Sequence, residues 1–408
     1  MKTKLTISVV LCLSACSNVE SEPVSVASLA EALVGDALVG LTPTEQQAFL
    51  DGKDAFVEVE NIGDGLGPLF NERACGRCHD NTAAGGAGKQ FEIRRGRLVN
   101  NVFDSLASLG GQLFDLFSVT NLEGDDRRSV PNCTLAKDGE PVPASANVMA
   151  RRRSTALFGL GLVDNTPDAT FIGLAAAQPA LIRGHTNMVF NISAGQNTVG
   201  KFGWKAQVPT LFQFSGDAYV NEMGVTSPQF MQEQPPMGDP SLVAACDLLP
   251  EPEDDGADVV AFTDFMQMLA PVAPVAQNAQ AQAGDALFTQ LGCDGCHVRS
   301  LTSGSGGAIA ALQNQTYHPF SDFLLHDMGS LGDNIGDNGT AGLTEMRTAP
   351  LWGVRLLNPK TQLLHDGRAT SMADAILRHD GQALTARNAF AALSSTDRNN
   401  VVAFLNTL

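Results

Sequence analysis

The sequence predicts a mainly α-helical protein built as two similar halves, with loop and short β insertions in the first. Three observations carry that expectation. A Cys-x-x-Cys-His motif occurs twice, at Cys75-Gly76-Arg77-Cys78-His79 and at Cys293-Asp294-Gly295-Cys296-His297. Each copy precedes a related stretch, Arg153-Ser154-Thr155-Ala156-Leu157-Phe158-Gly159 in the first half and Arg347-Thr348-Ala349-Pro350-Leu351-Trp352-Gly353 in the second. Each half closes on Val-Val-Ala-Phe with apolar residues at helical spacing, Val259 to Phe262 and Val401 to Phe404. Apolar residues make up 44% of the chain and charged residues 17%, a globular composition. At 408 residues the chain is too long for one ordinary core, so about two domains are expected.

The elements follow in order. Lys2 and Lys4 precede an apolar run from Leu5 to Ala15 that ends Leu13-Ser14-Ala15-Cys16. A basic start, a short apolar stretch and small residues before a cut describe a bacterial export signal over residues 1–15. A cysteine directly after those small residues fits the lipoprotein type, with Cys16 lipidated; a plain signal peptide cut nearby is the alternative. Cys12 would be lost with the signal. No other apolar run is long enough to span a bilayer. The mature chain is therefore expected in the periplasm, held to the inner or outer membrane by its lipid. Residues 16–55 read as a tether, 56–272 as the first domain, 273–283 as a linker and 284–408 as the second domain.

The two motifs set the chemistry. Two thiols on one helical turn can add to the two vinyl groups of a haem, and the adjacent His presents a ring nitrogen to the iron. A zinc site would want two Cys-x-x-Cys pairs close together with no obligatory His. A thiol redox site would need neither the trailing His nor a second copy. The reading is two covalently bound c-type haems, on Cys75 and Cys78 and on Cys293 and Cys296, with His79 and His297 as axial ligands. Each half thus reads as a cytochrome c-like domain from an internal duplication. Leu69-Phe70 and Leu287-Phe288 each stand five residues before a first motif cysteine, and each Phe is expected in a helix against a haem edge. Phe91 to Val99 alternates like a strand. Met266 to Ala270 ends a helix that Pro271 and Pro274 forbid from continuing; the polar stretch Gln277 to Ala283 links, and Gly284 opens the second unit. The acidic run Glu251 to Asp255 reads as solvated surface.

The formal charge of −18 argues against nucleic acid and anionic membrane surfaces as partners. Cys133 and Cys246 are left over; in an oxidising compartment they could pair, and spacing does not decide it. Besides His79 and His297, the histidines are His185, His318, His326, His365 and His379.

Taken together, the two motifs, Arg347 to Gly353 and His365-Asp366-Gly367-Arg368-Ala369 resemble the bacterial di-haem cytochrome c peroxidase and MauG superfamily. Arg152 to Leu162, Gly200 to Ala206, Glu222 to Ser227 and Phe323 to Gly329 resemble its di-haem oxidoreductase branch, over roughly residues 60–408. The resemblance implies a peroxidase-type enzyme that reduces H2O2 at the first haem, with electrons arriving through the second from a small cytochrome or cupredoxin. It implies a sixth iron ligand fourteen residues after His365, at His379, with Met328 the alternative. Replacing the Met common at that position by His should lower that haem's potential. It implies a catalytic carboxylate at Glu222, which would move a proton between the peroxide oxygens. Residues 80–90 after the first motif hold no His or Met, so the first haem is expected to be open or water-bound on its far face, with His185 reaching it through the fold as the alternative. Trp204 lies near the family's inter-haem Trp and is read as relay or packing; His326 and His365 are read as contacts flanking the second haem, and Arg347 as a propionate partner or an ordinary rim residue. The Thr-Ala-Pro that helps bind calcium in some relatives is Lys360-Thr361-Gln362 here, so the resemblance does not carry a calcium ion over. The rival expectations are an electron-transfer cytochrome without catalysis, and an oxidase acting on a partner protein or organic substrate.

Overall fold

The computed structural model describes residues 33–122 and 130–408, so the export signal and Cys16 lie outside the described residues. Helix outweighs strand, 36% against 13%. In chain order the helices are α1 (Pro43–Val57), α2 (Cys75–Cys78), α3 (Leu160–Asp164), α4 (Asp168–Ala177), α5 (Leu211–Met223), α6 (Pro240–Cys246), α7 (Ala257–Met268), α8 (Ala279–Gln290), α9 (Met372–Leu377), α10 (Leu384–Ala392) and α11 (Ser395–Leu405). The strands are short: β1 (Leu69–Phe70), β2 (Phe91–Val99), β3 (Val102–Asp104), β4 (Leu113–Phe114), β5 (Phe117–Ser118), β6 (Val148–Arg153), β7 (Met188–Asn191), β8 (Gln196–Val199), β9 (Leu301–Thr302), β10 (Thr316–Tyr317), β11 (Leu325–Asp327) and β12 (Glu345–Arg347).

The alternating segment from Phe91 is β2, and it pairs antiparallel with β3, β4 and β6. Its register sets Phe91 against Arg153 and Arg94 against Ala150. In this ribbon Arg95, Arg152 and Arg153 are buried. β11 and β12 pair Leu325 with Arg347. No helix of the described residues is long and apolar enough to cross a membrane.

Part of the expected tether is core. Thr42 caps α1 in a capping box with Glu45, and Pro43 occupies its first turn. Phe49, Gly52 and Phe56 share the buried face at helical spacing. Phe49 and Phe56 stack on Phe265 of α7, with ring centroids 5.3 and 4.8 Å apart. The expected linker over 273–283 is likewise only half right. Asn278 caps α8, so the Gln- and Ala-rich stretch is the helix's first turn, made of good helix formers. Gly284 sits inside α8 because α11 comes so close that a Cβ there would lie 1.9 Å from the Asn400 carbonyl oxygen. Phe70 does not lie in a helix: Gly67 and Pro68 interrupt any helix before the first motif, and Phe70 pairs with Phe117 in a strand.

The acidic run is exposed at Glu251 and Asp255 as expected, but its middle turns inward. Asp254 is buried and accepts from the N–H groups of Gly256, Asp258 and Val259 at the start of α7, while Glu253 accepts from Thr226. Cys133 and Cys246 form a disulfide, with Cα atoms 4.6 Å apart. Apolar side chains gather in two clusters. The larger runs from Leu38 to Trp352, and the smaller holds Phe288, Val354, Leu363, Phe390, Phe404 and Leu408.

Candidate functional site

The two motifs sit in matching surroundings. Nδ1 of His79 lies 2.8 Å from the Thr155 carbonyl oxygen, and Nδ1 of His297 lies 2.9 Å from that of Phe320. A ring N–H donated there fixes the tautomer and turns Nε2 away as the free ligand nitrogen. An aromatic ring stands beside each imidazole: Phe56 at 6.2 Å and 55° from His79, Phe288 at 6.4 Å and 54° from His297. The partner of His79 is thus Phe56 of α1, not Phe70. Sequence spacing missed it because 18 residues separate Phe56 from Cys75, against four between Phe288 and Cys293.

The far faces differ. His379, at the end of α9, faces His297 with ring centroids 6.5 Å apart. Two imidazole nitrogens bound to one metal at about 2 Å each would put their ring centroids about 6 Å apart. Nδ1 of His379 is also tied, 2.9 Å from the Ala375 carbonyl oxygen. Burial lowers the pKa of both, that of His297 to about 4, so both imidazoles are neutral and able to bind a metal. Among the described residues no second imidazole stacks against His79.

Beside the first motif lies a carboxylate cluster. Glu222 ends α5 partly buried, and its Oε2 accepts from Asn71 Nδ2 at 2.9 Å. The same amide nitrogen donates to Asp115 Oδ1 at 3.2 Å, and Asn71 Oδ1 accepts from the Leu116 N–H at 3.0 Å. Burial raises the Glu222 pKa, opposed by the Arg94 charge and the Asn71 hydrogen bond. Asp115, buried beside Glu222 and Glu140, is raised well above its usual value. Asp217, one turn and a little more before Glu222, is raised to about 6, chiefly by burial. Glu222 is among the charges that Cys78 feels, which puts it near the first motif.

Between the motifs the two related stretches interlock. The Arg153 N–H donates to the His365 carbonyl at 2.7 Å, and the Arg347 N–H donates to the Trp204 carbonyl at 2.8 Å. Trp204 Nε1 donates back to the Arg153 carbonyl at 2.9 Å. The Arg153 guanidinium lies over the Trp204 ring at 5.3 Å, and His365 meets that ring edge-on at 6.1 Å. Arg347 lies over Phe323 at 5.4 Å. Burial pushes the pKa of both arginines down to about 10. His326 is buried; its Nε2 lies 2.9 Å from Asp322 and its Nδ1 3.7 Å from Cys296 Sγ. Both its nitrogens are thus engaged beside the second motif. His365 is buried with Nε2 3.9 Å from Asp366. Gln362 closes onto the first motif's loop, donating to the Ala87 and Gly88 carbonyls at 3.3 and 2.9 Å.

These residues fit a haem at each motif. Cys75, Cys78, Cys293 and Cys296 are unpaired thiols in a chain whose other described cysteines form a disulfide. Burial pushes Cys75, Cys78 and Cys293 up to about 12, the reverse of what thiol redox chemistry needs. Arg153 and Arg347 are buried cations with no carboxylate in salt-bridge contact among the described residues, as groups awaiting propionates would be. Arg153 was legible only through its echo of Arg347; Asn71 carried no signal, since Glu222 lies 151 residues on.

A family model described as "Di-haem oxidoreductase, putative peroxidase" matches residues 142–408. The chain belongs to that family, and membership implies an oxidoreductase with two haems. No curated protein matches the chain. Among solved structures, it is similar to the diheme peroxidase BthA of Burkholderia thailandensis at 15% identity, covering 90% of this chain and 86% of that one, TM-score 0.42. It is similar to a hydrazine synthase of Kuenenia stuttgartiensis at 12% identity, covering 100% of each chain, TM-score 0.41. A MauG-like protein associated with microbial copper homeostasis matches at 14% identity, 66% of this chain and 92% of that one, TM-score 0.31. At scores this low the family model carries the assignment.

Proposed function

We propose that the chain is a periplasmic, lipid-anchored di-haem c-type cytochrome of peroxidase type, two cytochrome c-like domains from an internal duplication. The observation that carries this reading is the inequality of the two motifs: His297 is faced by His379, whereas His79 is accompanied by the buried carboxylate cluster around Glu222. Cys75 and Cys78 would hold one haem and Cys293 and Cys296 the other, with Arg153 and Arg347 toward their propionates. When bound, haem supplies an iron centre for peroxide reduction at the first motif and an electron store at the second.

The chain's own groups do the rest. His297 and His379 would together hold the second haem's iron and so keep peroxide from it. Glu222 takes a proton from one peroxide oxygen and returns it to the leaving oxygen, so that H2O2, two electrons and two protons give two waters. Asn71 fixes the carboxylate that does so, and burial holds its pKa up toward the working range. Trp204, packed between Arg153 and His365, lies on the direct protein path joining the two halves and supports electron passage from a small cytochrome or cupredoxin.

The test is Glu222→Gln in the holoprotein. Peroxide turnover with a reduced cytochrome donor falls about 100-fold or more while the haem spectrum and melting temperature hold. Unchanged turnover would remove Glu222 from the reaction, and a wild-type holoprotein with no peroxide turnover would leave the protein an electron carrier. Low-temperature EPR of the oxidised protein checks the second site: His379→Ala abolishes a bis-histidine low-spin signal, and its survival refutes the ligand assignment.

A further inference from the structure

Peroxide reduction needs protons from outside its own substrate. When one peroxide oxygen gives its proton to the leaving oxygen, the first water takes both protons of H2O2. The oxygen left behind needs two electrons from the donor and two protons from solvent to become the second water. Glu222, having returned the proton it borrowed, brings none of its own. Its carboxylate is partly buried at the end of α5, so those protons need a way in.

Asn71 holds a second carboxyl beside Glu222. Its Nδ2 donates both hydrogens, to Glu222 Oε2 at 2.9 Å and to Asp115 Oδ1 at 3.2 Å. The Leu116 N–H donates to Asn71 Oδ1 at 3.0 Å, which fixes the amide's orientation, and the Asn71 N–H donates to the Glu222 carbonyl at 2.8 Å. Two acceptors on the two hydrogens of one amide nitrogen stand about 5 Å apart, the span of one water bonded to both. Of the pair, Asp115 is the one that meets a cavity. That cavity, about 20 Å³ and so large enough for one water, is also lined by Asn221, Glu233 and Gln234. Gln234 is exposed and Asp115 is buried, so the cavity leads from the surface inward to Asp115. Burial first, then the charges of Glu222 and Glu140, raise Asp115 well above its usual pKa against Arg95 and Arg94, so it carries a proton at a pH where an ordinary Asp has lost it.

We propose that Asp115 is a positioning residue that passes protons from water in this cavity to the Glu222 carboxylate, an inference that rests on the peroxidase reading. Twice per turnover a proton leaves Asp115 for a water between the two carboxyls, that water gives one to Glu222, and cavity water reprotonates Asp115, so no charge accumulates. Asn71 keeps the carboxyls at that span while its own hydrogens stay in place. Asp115 acts only through Glu222 and does not touch peroxide.

The experiment follows the holoprotein by stopped flow in two steps: consumption of one equivalent of H2O2, then return to the resting state with a reduced cytochrome as donor. Asp115→Asn is isosteric and still accepts from Asn71, so it folds. It slows the donor step about tenfold or more, far more than the peroxide step, and enlarges the donor step's solvent deuterium isotope effect. Asp115→Glu, which restores an acid, recovers most of the rate. Glu222→Gln, by contrast, slows the peroxide step. Should Asp115→Asn leave both steps at wild-type rates, or slow both alike, the proposal falls with the peroxidase reading intact. A wild-type holoprotein with no peroxide turnover overturns that reading, and the proposal with it.

Discussion

Glu60 shows how far a single residue's environment can depart from what its neighbours in sequence suggest. It is 6% exposed, lies near Cys75, and accepts from the Tyr219 hydroxyl at 3.2 Å, with Asp258 on the other side of that hydroxyl. Burial pushes its pKa up to about 7. A carboxyl raised on folding favours the folded state fully below its ordinary pKa, and that contribution is lost as pH rises through the folded value. Glu60→Gln should therefore leave stability unchanged near pH 4 and add about 2–3 kcal/mol at pH 8, as read by urea denaturation at both. An equal effect at the two pH values would refute it. The two Cys-x-x-Cys-His motifs, by contrast, are legible at once, because the proposed thioether attachment and axial ligation would use neighbouring positions. Asn71 was not, because its partners Asp115 and Glu222 are 44 and 151 residues away.

Helix packing decides the next scale. α1 on α7 and α8 on α11 each bury a Phe that stands beside a motif imidazole. The α8–α11 approach depends on Gly284, since any Cβ would strike the Asn400 carbonyl. Gly284→Ala should force these helices apart and cost about 1–3 kcal/mol despite alanine's better helix propensity. Thermal melts followed by circular dichroism check the sign; a stabilised variant would contradict the close approach. The closing helices and β2 could be read from periodicity. α1 could have been found from Thr42-Pro43-Thr44-Glu45, a capping box with Pro in the first turn, followed by Phe49 and Phe56 on one face. Its sequence reads as a tether because nothing local shows that α7, some 200 residues later, covers that face.

Across the whole molecule, buried charge joins distant segments. Arg152 of β6 donates to Asp333 at 2.8 Å and Asp337 at 2.7 Å, and Lys205 reaches Asp333 at 3.3 Å while donating to three backbone carbonyls. Burial raises the pKa of Asp333 and Asp337, but the charge of Arg152, joined by Lys205 at Asp333 and Arg94 at Asp337, and the hydrogen bonds to each together hold both below their usual value. Arg152→Ala takes the ion-pair partner from buried Asp337 and leaves buried Asp333 with Lys205 alone, and should cost about 3–5 kcal/mol, with Asp337→Asn in the same chain recovering part of it. Chemical denaturation of the single and double variants measures this; additive losses would mean the pair does not interact. The chain by itself determined where the proposed haem chemistry sits: two Cys-x-x-Cys-His motifs, at the spacing that covalent haem attachment would use, and the related stretches that follow them. What only the tertiary structure decided is which groups face those imidazoles, where the acidic run turns, and how Arg153, Trp204 and His365 meet. The physical reason is range. Covalent attachment acts between adjacent residues and writes itself into a motif. Packing, desolvation and charge pairing act between surfaces that the chain brings together only once it has folded.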